Sequence, residues 1–103
     1  FRRGMWYPPI VSMVNAVVRG RTPLDAMTGA AELAGLLRAE ARAFRVLGPA
    51  PAPIARLRGQ HRAQVFLKGD HRRAMREALR TALDARPELR RRVTIDVDPL
   101  SVL

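Results

Sequence analysis

The chain contains no cysteine, which excludes disulfides and thiolate metal sites. That absence suits a reducing compartment, and a cytoplasmic location is the expectation. Aromatic residues make up only 5%, so the core has to be assembled from Ala, Leu, Val and Ile. No apolar run reaches the length of about 18 residues that crosses a bilayer, so no membrane association is expected. Acidic residues are also scarce, 9 against 19 basic ones, leaving a net charge of +10. A small domain this basic attracts polyanions at low salt. A merely solubilising surface would carry the same charges. Lys68 is the only lysine; the arginines that supply the rest of the charge have planar forks that suit phosphate and carboxylate.

Catalytic constellations are missing as well. There is no Gly-rich phosphate loop and no Ser-His-Asp spacing. His61 and His71 form no HxxxH or HExxH pair. No catalytic residue, metal site or cofactor is therefore expected in this chain. An acylphosphatase-like activity needs an arginine-bearing phosphate loop and a catalytic asparagine. Arg19-Gly20-Arg21 is a poor loop of that kind, and the only asparagine, Asn15, falls inside the first expected strand.

What is present describes a folded unit. Hydrophobic residues at 48% and charged residues at 27% form a globular balance, and 103 residues suit one domain with one core. The chain begins on Phe1, and the expectation is a piece of a longer protein. Residues 1–9 read as an entry linker, stiffened by Pro8-Pro9, and residues 10–103 as the domain.

Ile10 to Val18 is rich in β-branched residues and reads as a buried strand. Thr22 and Pro23 are suited to the N-cap and first position of a helix from Leu24 to about Phe44. Its apolar stripe is Ala30, Leu33, Ala34, Leu37, Ala41 and Phe44. Arg45 to Gly48 reads as a short strand, and Pro49, Pro51 and Pro53 as an extended connector. Ile54–Arg58 and His61–Lys68 read as a hairpin turning on Gly59-Gln60. Asp70 is placed to cap a second helix from His71 to about Arg86, with Met75, Ala78, Leu79, Ala82 and Ala85 facing inward. Pro87 interrupts it, and Arg92 to Asp98 alternates as a last strand. The order βαββαβ is the α+β, ferredoxin-like pattern: a four-stranded antiparallel sheet with two helices on one face.

Three segments are candidate binding surfaces. At the start of the second helix, His71, Arg72 and Arg73 oppose the helix dipole. Arg72, Arg76 and Arg80 then stack like charges at i, i+4 and i+8. Either an anion sits there, helped by free backbone N–H groups, or Asp70, Glu77 and Asp84 relieve a solvated face. In the hairpin, Arg56, Arg58, Arg62 and Lys68 gather cations beside His61. Phe66 and Gln64 share a face with Arg62 and Lys68, an arrangement that can grip a nucleic-acid backbone and stack a base. The alternative places Phe66 in the core of a basic edge ribbon. Trp6 in the entry segment either stacks on a base or packs against protein.

Three stretches carry a family resemblance across essentially the whole chain. They are Trp6-Tyr7-Pro8-Pro9-Ile10, the Val46–Pro53 stretch VLGPAPAP followed by Arg56–Arg62, and the ending Ile95-Asp96-Val97-Asp98-Pro99. Together, and in this order, they resemble the C-terminal domain of the PriA (primosomal protein N′) family of replication-restart helicases. The resemblance implies a parent that is an ATP-dependent 3′-to-5′ DNA helicase, with ATP, Mg and zinc held outside this fragment. It makes residues 1–9 the linker from a helicase lobe. It also implies a non-catalytic, ribosomal-protein-like domain that contributes DNA contacts, single-stranded or forked, in concert with other primosome proteins. The family shares a pocket for the acidic tail of single-stranded DNA-binding protein between this domain and the helicase lobes. Aligned through Gln64–Leu67, its arginine falls on Arg72, and a neighbour that is often glutamine falls on Arg76. A ribosomal-type RNA-binding module is the second function expected of this fold and charge.

Overall fold

The computed structural model describes residues 12–40 and 44–97. The elements run β1 (Ser12–Gly20), α1 (Pro23–Glu40), β2 (Arg45–Leu57), β3 (Gln60–Gly69), α2 (Arg72–Ala85), α3 (Pro87–Arg90) and β4 (Val93–Val97). The strands form one antiparallel sheet in the order β2-β3-β1-β4. All three helices pack on one face of it, a ferredoxin-like α+β arrangement. The helix count exceeds the expected two because Pro87 starts a short helix of its own.

Alternation along the central strands sorts the two faces. Val14, Ala16 and Val18 of β1 and Ala63, Val65 and Leu67 of β3 point at the helices and are buried. Ala26, Ala30, Leu33, Ala34 and Leu37 of α1 meet them, with Met75, Ala78, Leu79 and Ala82 of α2 and Leu89 of α3. The expected stripes hold at these positions. Ala85 is exposed at the end of α2, and Phe44 lies beyond α1 yet packs against the core. Ala41, Ile10 and Asp98 lie outside the described residues.

The α1 cap is as read from sequence: Asp25 N donates to Thr22 Oγ1 at 3.0 Å, and Pro23 opens the helix. Four boundaries are corrected. β1 runs to Gly20, two residues past the expected end at Val18. The N-cap of α2 is His71, not Asp70: Ala74 N donates to His71 Nδ1 at 3.3 Å. A neutral imidazole nitrogen accepts as a carboxylate oxygen would. The proline stretch is no connector, since β2 continues through it for 13 residues. As an edge strand it can spare the N–H groups prolines lack, and its register shifts between Leu47 and Ala50 and between Pro51 and Arg56 absorb the misfit. Finally, the hairpin turns on Arg58-Gly59, one residue earlier than expected. Both have positive φ, +52° and +79°, and Leu57 pairs with Gln60. A two-residue loop with positive φ at both positions matches the twist of the strands, so Gly59 serves best as its second residue.

Candidate nucleic-acid and anion-binding surfaces

With every described helix on one side, the other face of the sheet carries the opposite parity of each strand. On β3 these are Arg62, Gln64, Phe66 and Lys68; on β1, Met13, Asn15, Val17 and Arg19. Phe66 pairs with Asn15 on one side and Leu47 on the other. It is half-buried and does not belong to the core cluster, which removes the reading of Phe66 as a core residue. Beside it Asn15 Nδ2 donates to Gln64 Oε1 at 3.4 Å. Leu47 is 41% exposed on the same face.

The sheet brings together cations that the sequence left scattered. Arg19 lies directly across from Arg62, and Arg45 directly across from Lys68. Arg19 and Arg45 escape a reading of sequence because strand pairing, not spacing, makes them neighbours. The only local clue is that Arg19 shares the parity of Val17 and Asn15. Arg19 donates to Thr94 Oγ1 at 2.5 Å and to Arg91 O at 2.8 Å. Arg62 donates to Ile54 O at 3.4 Å. Neither meets a carboxylate among the described residues. Between them lies a shallow concavity of about 350 Å³, lined also by Val17, Leu57, Arg58, Gln60 and Thr94.

The other expected residues disperse. Arg58 is at the hairpin turn, in reach of that concavity. Arg56 pairs with His61 and so has the parity of the helix-bearing side. Trp6 lies outside the described residues. Arg72 and Arg76 are exposed on α2, in the helix layer, so the expected tail site and the open sheet face lie on opposite sides of the domain. No acid occupies the first turn of α2. Of the acids expected to relieve the Arg72–Arg76–Arg80 row, Glu77 pairs with Arg73 at 3.3 Å and Asp84 with Arg90 at 2.9 Å. Arg76 and Arg80 line a small depression with Arg73 and Glu77. Among the described residues no group of three His, Cys, Asp or Glu could hold a metal ion, and no helix is long and apolar enough to cross a membrane.

Comparison with known proteins extends the geometry. The chain is 32% identical over 104 residues to the replication restart protein PriA of Treponema pallidum, covering 99% of this chain and 16% of that protein. It is 37% identical over 101 residues to a probable replication restart protein PriA of Deinococcus radiodurans, covering 97% and 11%. It thus spans under a fifth of the length of these relatives. The de novo designed protein Foldit4 shares the fold with a TM-score of 0.61 at 11% identity, covering 85% of this chain and 93% of that one. The family model for the primosomal protein N C-terminal domain matches residues 3–100, and the chain belongs to that family.

Proposed function

We propose that this domain is a non-catalytic binding module of a replication-restart helicase, with one surface for single-stranded or forked DNA and another for the acidic tail of single-stranded DNA-binding protein. The observation that carries the DNA role is Phe66. It sits outside the core on the helix-free sheet face, two residues from Lys68 along β3 and four from Arg62. An aromatic on a flat sheet between cations is a stacking platform that every base can use. Expected result: Phe66→Ala weakens binding of a fluorescent single-stranded oligonucleotide by about 1–3 kcal/mol, roughly 5- to 150-fold. An unchanged affinity in that titration rules out stacking at Phe66.

The tail role is supported by the row Arg72, Arg76 and Arg80 and by the lack of an acid in the first turn of α2. A helix start with cations and no acid in its first turn favours a carboxylate at that end. Arg76, where glutamine is common, adds charge toward the same ligand. The test belongs in the full-length parent, because the family pocket is shared with helicase lobes. There Arg72→Ala is expected to weaken an acidic tail peptide about tenfold or more, the worth of a charge-assisted hydrogen bond. DNA affinity should change far less. Equal peptide affinity before and after the substitution removes Arg72 from the pocket.

A further inference from the structure

Directly opposed like charges on neighbouring strands destabilise a sheet, since their Cβ atoms lie only about 5 Å apart. Arg19 and Arg62 are such a pair, on the two central strands. Their guanidinium groups are anchored on opposite sides. Arg19 leans over β4 to Thr94 Oγ1 and the Arg91 carbonyl, and Arg62 leans over β2 to the Ile54 carbonyl. These anchors are neutral acceptors, so they orient both forks without neutralising them. The gap between the forks is the concavity over Val17, with Arg58 reaching in from the hairpin turn. Three arginines therefore border one depression that no carboxylate lines among the described residues.

We propose that this depression is a phosphate seat. Its ligand is the backbone of a single-stranded nucleic acid that runs along β3 toward a second opposed pair, Arg45 and Lys68, passing over Phe66. Arg62 and Lys68 are six residues apart on β3, about 20 Å at strand rise, so one strand of modest length engages both ends. Between the two cation pairs the face offers the half-buried Phe66 and the exposed Leu47, over the largely buried Asn15–Gln64 amide pair, with Asp96 set to one side on β4 across from Asn15. This pattern of charge, then stacking surface, then charge suits a strand with its bases turned to the sheet. An acidic peptide would neutralise the pairs but leave the aromatic unused. A duplex keeps its bases stacked inside and cannot use Phe66. The seat rests on the DNA-binding reading above, and it extends that reading to Arg19 and Arg45 and to the class of strand bound.

The test is a salt titration of oligonucleotide affinity with the 103-residue chain. For single strands each neutralised phosphate contributes about 0.7 to the slope of log K against log salt. Arg58→Asn removes a side chain with no hydrogen bond among the described residues, and asparagine tolerates the left-handed backbone there. Arg62→Gln and Arg19→Gln remove the two forks. Thermal melting of each variant shows whether it still folds. Folded variants are expected to lower the slope by about 0.7 each, and single-stranded oligonucleotide, DNA or RNA, should outcompete both duplex and polyglutamate. If the wild type binds and Phe66→Ala weakens it, yet all three slopes stay at the wild-type value, the seat is wrong while the stacking platform stands. Absence of binding by the wild type at low salt removes the DNA reading itself. Preference for duplex or for polyglutamate overturns the class of ligand.

Discussion

Gly20→Ala is expected to cost the domain about 3 kcal/mol, the upper end of what overpacking takes from a well-packed site. A Cβ on Gly20 would stand 2.5 Å from Ala26 N, 2.8 Å from Asp25 Cβ and 2.9 Å from Asp25 C. Two of these are backbone atoms in the first turn of α1, and side-chain rotation cannot clear them. The turn itself is pinned: Asp25 N bonds Thr22 Oγ1, Ala26 N bonds Thr22 O at 3.1 Å, and the Arg92 guanidinium holds Asp25 O at 2.9 Å. Making room means losing part of that set or tilting α1 off the sheet. Gly35→Ala is the matched control, because it is exposed in the same helix with nothing within 4 Å of the added carbon. It is expected to gain up to about 1 kcal/mol from helix propensity. Urea unfolding of the two variants beside the wild type reads both signs. A Gly20→Ala midpoint equal to the wild type's would contradict the close approach of α1 to the end of β1.

The strand-helix order was legible because hydrophobic period and caps are local. Thr22-Pro23 names the start of α1, and Met75, Ala78, Leu79 and Ala82 name the inner stripe of α2. The errors fall where tertiary pairing outvotes a local signal. Gly20 looks like a breaker by composition, yet it ends a strand because only a bare Cα lets α1 come so near. Pro49, Pro51 and Pro53 look like a connector, yet an edge strand with register shifts accommodates them. The candidate surfaces divide along the same line. Phe66, Arg62 and Lys68 were readable as one face from alternation alone. Arg19 opposite Arg62 and Arg45 opposite Lys68 were not, because the register of non-adjacent segments is written in the buried sides of those strands. The family motifs show identity without announcing this geometry: VLGPAPAP lies on the edge strand with its Leu47 paired to Phe66, and the Arg56–Arg62 segment brings Arg58 and Arg62 to the concavity.

Separation of the two surfaces by the sheet has a consequence for function. Anions bound at the α2 row and at the open face are held apart by the full helix-and-sheet thickness, with the core between them. Direct repulsion between them is screened at physiological salt, where the Debye length is about 8 Å. On the two proposed assignments, a domain built this way would hold a protein tail and a nucleic-acid strand together, and loss of one ligand need not release the other. Both surfaces nevertheless depend on the same core.

That dependence sets the second large effect. Leu33→Ala is expected to destabilise the domain by about 4 kcal/mol, toward the top of the range for leucine truncation. Leu33 is fully buried where α1 meets the sheet, among the largest side chains in the core. Its surroundings are rich in alanine: Ala16, Ala26, Ala30, Ala34, Ala63, Ala78 and Ala82 are all buried in the same cluster. Alanine has no rotamer to swing into a void, so the cavity closes poorly and the cost per removed carbon stays high. Domains have only about 5–15 kcal/mol in hand, so the variant should melt well below the wild type and be partly unfolded on warming. Its effect on nucleic-acid binding should follow a different rule from that of Arg62→Gln. Affinity should fall by the folded fraction alone, and the salt slope should keep its wild-type value, because the cations are untouched. Calorimetry and a salt titration on the same samples separate the two. A melting temperature within about 4 °C of wild type, the shift for roughly 1 kcal/mol in a domain of this size, would mean that the alanine-rich core relaxes around the void after all.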